Sequence, residues 1–473
     1  MVHPHKSDRM KKNGWGIVCT WLLVQLAVLF IGGCAQIGAP TGGAKDTLAP
    51  VLIKSNPALY QLGFTGNKIT LTFDEYIELQ DLQNNLLISP LQNNLPVVKS
   101  NLRTVSISLK DSLLPNTTYT IQLGNAVKDI NEGNVYKNLS YTFSTGNTID
   151  SLTISGKVQL AETGKADSTL LVLLYINAVD SSVQTRKPDY IARLNKEGIF
   201  EFNHLPAATV RLYALKDGDG SKTYNVKTEM FAFHDAPVRT SDNPSVTLYA
   251  FATEKITQEI KTPKPTEKEK KEKKFRYTTN LSGSKKDLLE PLVLACNSKI
   301  KTWNPKGFRL TDTSFHEVPN ARIALDSLQQ NISIALAWPP ETPYILWVDQ
   351  DAAADENGNV FVKADTIRFV TKSNEEYGNV LLRFTNIDLT KKPILQFVSD
   401  EVVKYAYPLT ASQWSNKLFP PGEYTLRILL DANNDGSWTP GDYSQKRQPE
   451  KVLLLPQKLA VKANWDNEQN IEW

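Results

Sequence analysis

The chain has 473 residues, of which 41% are hydrophobic, and 53 Lys and Arg stand against 50 Asp and Glu. This apolar content excludes a mostly disordered protein, and 24 glycines and 26 prolines exclude a collagen-like or low-complexity chain. A net charge of +3 provides no electrostatic footprint for nucleic acid, so we expect no nucleic-acid partner.

Residues 1–33 have the pattern of a secretory signal peptide. Basic residues come first, and an uncharged apolar segment follows that is short for a membrane span. The segment ends at Ile31-Gly32-Gly33-Cys34, which resembles the bacterial lipobox. The resemblance implies cleavage before Cys34, lipidation of its thiol and acylation of the new amino terminus. An uncleaved anchor helix with an incidental cysteine is the alternative.

The sequence after Cys34 predicts where the protein is held. Residues 34–48 are rich in glycine and small residues and are predicted to form a flexible tether. No acidic residue directly follows Cys34, which by analogy with bacterial lipoproteins argues against retention in the inner membrane. We therefore expect an outer-membrane lipoprotein, facing the periplasm or the cell surface, whose lipidated Cys34 has the membrane as its partner.

Alternating polar and apolar residues dominate the chain from residue 49 onward. Segments such as 68–73 and 104–109 alternate strictly, which predicts strands with one face toward a core and one toward water. Asn, Gly and Pro turn signals separate these segments, as in an antiparallel sandwich. We predict one such domain over 49–147 and a second over 150–250.

A charged segment at 254–275 interrupts this pattern. It contains lysine, glutamate and proline with few apolar residues, which is typical of a solvated linker. We expect it to let the two halves of the chain pivot. A basic patch for anionic lipid is the alternative, which the interleaved glutamates weaken.

The order of the first half returns after the linker, at offsets of 216, 225 or 226 residues. Collinear matches of this kind predict an internal duplication. The chain is therefore predicted to be an all-β tandem of four sandwich domains, called here A (49–147), B (150–250), A′ (276–374) and B′ (378–468). The matching segments are 119–136 with 344–361, 143–145 with 369–371, 210–212 with 426–428, and 219–221 with 435–437.

Two family resemblances follow from these segments. Domain A, from 49–57 through 69–77 and 114–121 to 141–145, looks like the bacterial Ig-like domain of S-layer proteins and many Bacteroidetes lipoproteins. Residues 41–47 resemble that lipoprotein group. Domain B, with 154–158 and 194–202, resembles the carboxypeptidase regulatory-like, prealbumin-type fold. A′ is then a degenerate second Ig-like domain and B′ a second regulatory-like sandwich. These families imply extracytoplasmic scaffolding or binding and no catalysis.

The loop at 431–442 is the best local signal for a ligand. It places oxygen donors at positions 1, 3, 5 and 12 with glycine at 6, as an EF-hand-type calcium loop requires. Position 12 is Asp rather than Glu, and a predicted strand precedes the loop, so the helix–loop–helix frame is missing. An Asx-rich turn without metal is the alternative. The candidate calcium ligands are Asp431, Asn433, Asp435, Ser437 and Asp442.

No other cofactor is predicted. The five histidines are scattered and no CxxC pair occurs, which makes a zinc or iron–sulfur site improbable. Cys296 stands in an apolar segment and is predicted to be a core residue. His204 and His316 precede loops and are predicted to be surface or turn residues.

The sequence contains no nucleophile elbow, P-loop or His-Glu-x-x-His motif, and we predict no enzyme. Asp74, Glu75 and Glu78 are interpreted as strand-end residues, because neighbours on a strand point to opposite faces. An unrecognised hydrolase is a remote alternative.

The leading hypothesis is a non-catalytic, lipid-anchored cell-envelope protein that acts as a β-domain scaffold or adhesion module, with an envelope protein or glycan as partner. A glycan-binding accessory lipoprotein is the alternative, because exposed tryptophans can stack on sugars, although tryptophans more often fill sandwich cores. The tryptophans near predicted loops are Trp303, Trp338, Trp347, Trp414 and Trp438.

Overall fold

The computed structural model describes residues 45–254 and 274–472, together with Trp21. The predicted lipidation site Cys34, nearly all of the signal segment 1–33, residues 34–44 of the tether and residues 255–273 of the linker lie outside this range. No helix among the described residues is long and apolar enough to cross a bilayer.

Domain A consists of two packed sheets with strand orders β1-β2-β6-β5 and β4-β7-β9, beside a short β3-β8 ladder. In β2 the alternation seen in the sequence places Ile69, Leu71 and Phe73 in the core between the sheets, where all three are fully buried. The elements are β1 (Leu52–Asn56), β2 (Lys68–Phe73), β3 (Ile77–Leu79), α1 (Leu82–Asn85), β4 (Leu87–Ser89), β5 (Val97–Asn101), β6 (Thr104–Ser108), β7 (Thr118–Gly124), β8 (Val127–Asp129) and β9 (Leu139–Ser144).

Domain B packs a β13-β10-β17 sheet against a β12-β11-β14-β15 sheet, with β16 paired to β14. Its first and last strands, β10 and β17, run parallel. Gly156 of β10 is required there, because a Cβ atom would lie 2.0 Å from the Val246 carbonyl oxygen. The elements are β10 (Leu152–Leu160), β11 (Leu171–Ile176), α2 (Ser182–Thr185), β12 (Tyr190–Arg193), β13 (Ile199–Leu205), β14 (Thr209–Leu215), β15 (Phe231–Phe233), β16 (Val238–Arg239) and β17 (Ser245–Ala250).

Domain A′ repeats the topology of domain A. Its β18-β20-β24-β23 sheet, its β22-β25-β27 strands and its β21-β26 ladder correspond in order to those of A. In both domains a short segment joins the last strand in parallel, through Gln61 with Phe143 in A and Lys285 with Val370 in A′. The strands are β18 (Tyr277–Thr279), β19 (Lys285–Lys286), β20 (Leu292–Cys296), β21 (Ile300–Trp303), β22 (Phe308–Thr311), β23 (Arg322–Leu325), β24 (Asn331–Ala335), β25 (Pro343–Val348), β26 (Ala353–Asp355) and β27 (Asp365–Thr371).

Domain B′ repeats domain B. Its sheets have the orders β31-β28-β34 and β30-β29-β32-β33, and its first and last strands, β28 and β34, again pair in parallel. This recurrence of topology confirms the predicted all-β tandem fold, including the half in which sequence similarity is weak. The strands are β28 (Gly378–Thr385), β29 (Pro393–Ser399), β30 (Val402–Pro408), β31 (Gln413–Phe419), β32 (Gly422–Leu430), β33 (Val452–Val461) and β34 (Asp466–Glu472).

Candidate functional site

The candidate calcium loop connects β32 to β33, and its conformation depends on Asp431. This side chain is buried, and its Oδ1 accepts the backbone N–H groups of Asn434 and Asp435 at 2.6 and 3.2 Å. Its Oδ2 accepts the N–H of Gly436 at 2.9 Å. Asp431 therefore folds the turn around its own carboxylate, as an Asx turn does.

The other predicted ligands are not all turned toward one point. The Asn433 side chain is engaged within the loop, where its amide N–H donates to Asp435 Oδ2 at 2.8 Å and its Oδ1 accepts the Asp435 backbone N–H at 3.0 Å. Asp442 accepts the N–H and hydroxyl of Ser444 in the next turn, which lowers its pKa. Asp431, Asn433, Asp435 and Ser437 thus share one turn and Asp442 hydrogen-bonds in another. Calcium binding by this loop stays a prediction.

Glu450 holds this loop in place, and no pattern in the sequence indicated it. The side chain is buried, and Oε1 accepts the N–H of Ala432 at 2.8 Å while Oε2 accepts that of Thr439 at 2.9 Å. The Trp438 indole donates to the Glu450 carbonyl oxygen at 2.8 Å. These contacts link the loop to the segment just before β33.

The corresponding loop of domain B brings three carboxylates together. Asp217, Asp219 and Glu229 each have an oxygen within 4.8 Å of the others. Hydrogen bonds from the N–H and hydroxyl of Ser221 lower the pKa of Asp219 to about 2, and burial raises the pKa of Glu229. Glu229 lies three residues beyond 215–226, the segment that corresponds to 431–442 at an offset of 216, so the loop pattern in the sequence did not indicate it.

The segment that follows the candidate loop packs against domain B. Tyr443 is buried, and its hydroxyl donates to the Asp180 carbonyl oxygen at 2.6 Å and lies 3.1 Å from the Tyr213 hydroxyl. Its ring is 5.1 Å from the ring centroids of both Phe231 and Phe233. Burial raises the pKa of Tyr443 and of Tyr213. A side chain from the end of the chain thus completes an aromatic cluster of domain B.

Backbone and polar contacts extend this interface. Gln448 Nε2 donates to the Phe233 carbonyl oxygen at 3.0 Å, and the Val452 N–H donates to the Ala161 carbonyl oxygen at 3.0 Å. Gly441 lies so close to domain B that a Cβ atom would stand 2.6 Å from the Phe251 ring. The expectation that the linker lets the halves pivot is therefore wrong, because B and B′ share a packed interface.

Strand β11 explains why domain B offers an apolar surface for this contact. Val172 and Leu174 point into the sandwich core, while Leu173 and Tyr175 point to the opposite side and join the aromatic cluster. A strand covered on both faces has apolar residues at every position, and residues 170–175 have that pattern. This run was the sequence signal for the interface.

Domain A also reaches this region of domain B. The Leu91 N–H donates to the Asp189 carbonyl oxygen at 2.7 Å, and the Leu87 side chain joins the same cluster as Tyr175. His204 lies at this boundary, half-buried and 3.4 Å from the Thr120 hydroxyl, and burial lowers its pKa. His316, in contrast, is an exposed turn residue beside Asp312.

The carboxylates at the end of β2 have structural partners. Asp74 Oδ1 accepts the Val51 N–H at 2.8 Å, and Glu78 forms an ion pair with Lys128 at 2.8 Å. Burial raises the pKa of Glu75, with a further contribution from Asp129. These contacts agree with the strand-end interpretation.

The remaining candidates, Cys296 and the five tryptophans, are buried or partly buried. Cys296 is half-buried against the core of A′, and burial raises its pKa to about 12. Trp338 is buried, and Trp303, Trp347, Trp414 and Trp438 are each partly buried. Since none of the five stands exposed, their positions favour packing over stacking on a glycan.

Comparison with known proteins supports the Ig-like resemblance of domain A. Residues 46–145 match the family model of the bacterial Ig-like domain. No curated protein matches the chain.

Solved structures with similarity to the chain include three bacterial proteins. The Bacillus anthracis TIE protein is 12% identical, with 98% of this chain and 79% of that chain covered and a TM-score of 0.17. BcpA, the major pilin subunit of Bacillus cereus, is 11% identical, with 68% and 99% covered and a TM-score of 0.17. The N-terminal part of the S-layer protein SbsC is 14% identical, with 44% of each chain covered and a TM-score of 0.16. At such TM-scores no function is transferred from these structures.

Proposed function

We propose that this chain is a non-catalytic, lipid-anchored protein of the bacterial cell envelope, in which four β-sandwich domains serve as a scaffold or adhesion module. The observation that carries the proposal is the packed interface between B and B′, centred on Tyr443 and Tyr213. A chain that only spaced a ligand from the membrane would not need to bury aromatic side chains between its two halves. A fixed arrangement of domains suits a protein that presents a surface to a partner.

The match of residues 46–145 to the bacterial Ig-like domain also supports this proposal. The lipobox-like Ile31-Gly32-Gly33-Cys34 supplies the anchor, and the outer membrane is the proposed location. An envelope protein or a glycan is the proposed partner.

Protease accessibility on intact cells tests the proposal, with Cys34→Ala as the control. Degradation without lysis would place the domains outside the cell and favour adhesion. Protection until the outer membrane is opened would place them in the periplasm and favour a scaffold. A Cys34→Ala chain that stays with the membrane fraction would contradict the lipid anchor.

A further inference from the structure

One end of domain A exposes a group of apolar side chains. Val51 is 55% exposed, Tyr76 48%, Leu102 66% and Ile130 52%, and we call these four residues the apolar tip. None of the four belongs to the core of the domain. Together they form the kind of exposed apolar patch that marks an interaction site.

The four residues come from separate segments that the fold joins at one end. Val51 and Asp74 exchange hydrogen bonds, two residues before Tyr76. The Ile130 N–H donates to the Tyr76 carbonyl oxygen at 3.2 Å, and the Ile77 N–H donates to the Leu102 carbonyl oxygen at 3.0 Å. The backbone of this end thus fixes the four side chains as neighbours.

The outer faces of the adjoining strands are polar by comparison. Thr70 and Thr72 of β2 and Ser106 of β6 occupy the positions that alternate with core residues. Beyond the tip the outer face of β2 is therefore polar, although Ile53 of the neighbouring β1 is also apolar and 62% exposed. Exposure of such residues to water is unfavourable in proportion to their apolar surface.

The apolar tip is also where the chain enters domain A from the predicted anchor. Leu48, three residues before Val51, is 73% exposed, and fourteen residues separate it from Cys34. The flexible tether that the sequence predicts over this length would have a root-mean-square extension of about 20 Å. Lipid attached to Cys34 would hold the tip beside the bilayer at high effective concentration.

The charges around the apolar tip indicate which kind of lipid surface it can contact. Asp74 and Glu75 come just before Tyr76, while Asp129, which precedes Ile130, is buried and accepts backbone N–H groups. Lys128 is paired with Glu78 at 2.8 Å. Arg103 lies over the Tyr76 ring at 5.1 Å and is one cation among them. Since like charges repel, this acidic border favours a zwitterionic lipid surface over an anionic one.

We propose that the apolar tip inserts into the zwitterionic phospholipid interface next to the lipidated Cys34. This inference rests on the proposed lipid anchor. It places this end of domain A against the membrane. The tether would attach the chain to the membrane, and the tip would orient the chain relative to it.

A fluorescent probe on the lipidated full chain tests this insertion. An environment-sensitive dye is attached at Leu102→Cys, or at Leu328→Cys in domain A′ as the matched control. Leu328 is 67% exposed, against 66% for Leu102, and it also lies in a turn between two strands. Cys296 is a free thiol that is half-buried and has a raised pKa, so we expect it to react slowly with the dye. Labelling of the parent chain, which keeps Cys296, measures this background.

The protein is reconstituted into phosphatidylethanolamine–phosphatidylcholine vesicles that carry a quencher on their acyl chains. We expect a blue shift and strong quenching of the dye at position 102 and neither at position 328. Adding Tyr76→Ser and Ile130→Ser to the Leu102→Cys chain should remove most of the quenching. Circular dichroism checks that each variant is folded.

Two failures can be told apart in the same experiment. A chain whose intact mass lacks acyl groups and that does not float with vesicles contradicts the lipid anchor, and the insertion with it. A chain that is acylated and floats, but whose dye at position 102 emits as in water, contradicts the insertion alone.

Discussion

Asp431 determines the conformation of the loop that precedes the B–B′ contact. Three backbone N–H groups donate to its buried carboxylate, so removal of the side chain leaves three donors without their acceptor. Unsatisfied buried groups cost about 1–3 kcal/mol. Asp431 is therefore a structural residue in this loop whether or not an ion binds there.

We expect Asp431→Ala to lower the free energy of unfolding of the second half by about 1–3 kcal/mol. Glu423→Ala is the control, because Glu423 is an exposed residue of β32 outside the loop and should change stability little. Urea unfolding followed by tryptophan fluorescence measures both, with excess calcium and with a chelator. A loss that occurs only with calcium would instead establish the predicted ion and contradict a purely structural role.

Lys286 is a fully buried cation in domain A′. Its Nζ donates to the carbonyl oxygens of Asp287 and Glu290, both at 2.6 Å, and lies 5.5 Å from the centroid of the Trp338 ring. A buried charge of this kind is tolerated because hydrogen bonds replace its hydration. The Lys286 side chain thus holds the backbone of the segment between β19 and β20 through two of its carbonyl groups.

We expect Lys286→Ala to destabilise the chain by about 2–4 kcal/mol, since it removes the packed stem as well as the donor. Lys286→Met keeps the volume and should be the milder change.

Burial lowers the pKa of Lys286 below its usual 10.5, so between the two pKa values the unfolded state binds more protons than the folded state. Stability then rises with pH in that window. The free energy of unfolding is measured from pH 7 to 10 for the wild type and for Lys286→Met. We expect the wild-type value to rise relative to that of Lys286→Met as the pH increases, and a constant difference would contradict this.

The segment 441–448 acts as one element of the interface although it has no regular secondary structure over most of its length. It contributes the Tyr443 ring, the Gln448 hydrogen bonds and a glycine whose lack of a side chain lets the backbone reach the Phe251 ring. The contact therefore depends on a small residue as much as on a large one.

We expect Gly441→Ala to weaken the B–B′ contact, because the new Cβ would stand 2.6 Å from the Phe251 ring and force it to move. Overpacking of this kind costs about 1–3 kcal/mol. Gly218→Ala is the matched control, since a Cβ there meets no atom within 4 Å. Thermal unfolding measures the two variants, and equal midpoints would show that the glycine is not needed for packing.

The elements were predictable where the physics is local. Residues 104–109 alternate between apolar and polar, and β6 (Thr104–Ser108) forms there with Val105 and Ile107 buried. The contact of Tyr443 with Tyr213 was not predictable in this way, because 230 residues separate them and Tyr443 stands among polar turn residues. The convergence of Glu229 on Asp219 was missed for the same reason, since it depends on how a loop folds back.

Noncovalent contacts connect the described domains in the order A, B, B′ and A′. Domain A contacts B through Leu91 and Asp189, and B′ contacts B through Tyr443 and Tyr213. Domain A′ contacts the start of B′, where the Leu288 N–H donates to the Tyr377 hydroxyl at 2.8 Å. Each described domain is thus held by packing and hydrogen bonds in addition to the covalent chain.

This arrangement predicts that the two halves stay together when the linker is cut. A specific protease site placed within 261–270 would separate A–B from A′–B′ covalently while leaving the interface residues unchanged. Buried aromatic contacts, with Tyr443 at 5% exposure, and three hydrogen bonds from Gln448 and Val452 should hold the fragments as one complex. Size-exclusion chromatography of the cut protein measures whether they elute together.

Tyr443→Ala with Gln448→Ala is the variant that should release the fragments, because truncation of a buried anchor at an interface costs about 2 kcal/mol or more. The control is Lys446→Ala, which removes an exposed ion pair with Asp180 and an ammonium group 3.6 Å from the centroid of the Tyr443 ring. Since both contacts are exposed and the buried ring remains, this variant should leave the complex intact. Fragments of the wild-type chain that elute separately at micromolar concentration would mean that the linker alone joins the halves. Fragments that co-elute in the wild type and in Lys446→Ala, and separate in the double variant, would assign the fixed shape of the molecule to the Tyr443 contact.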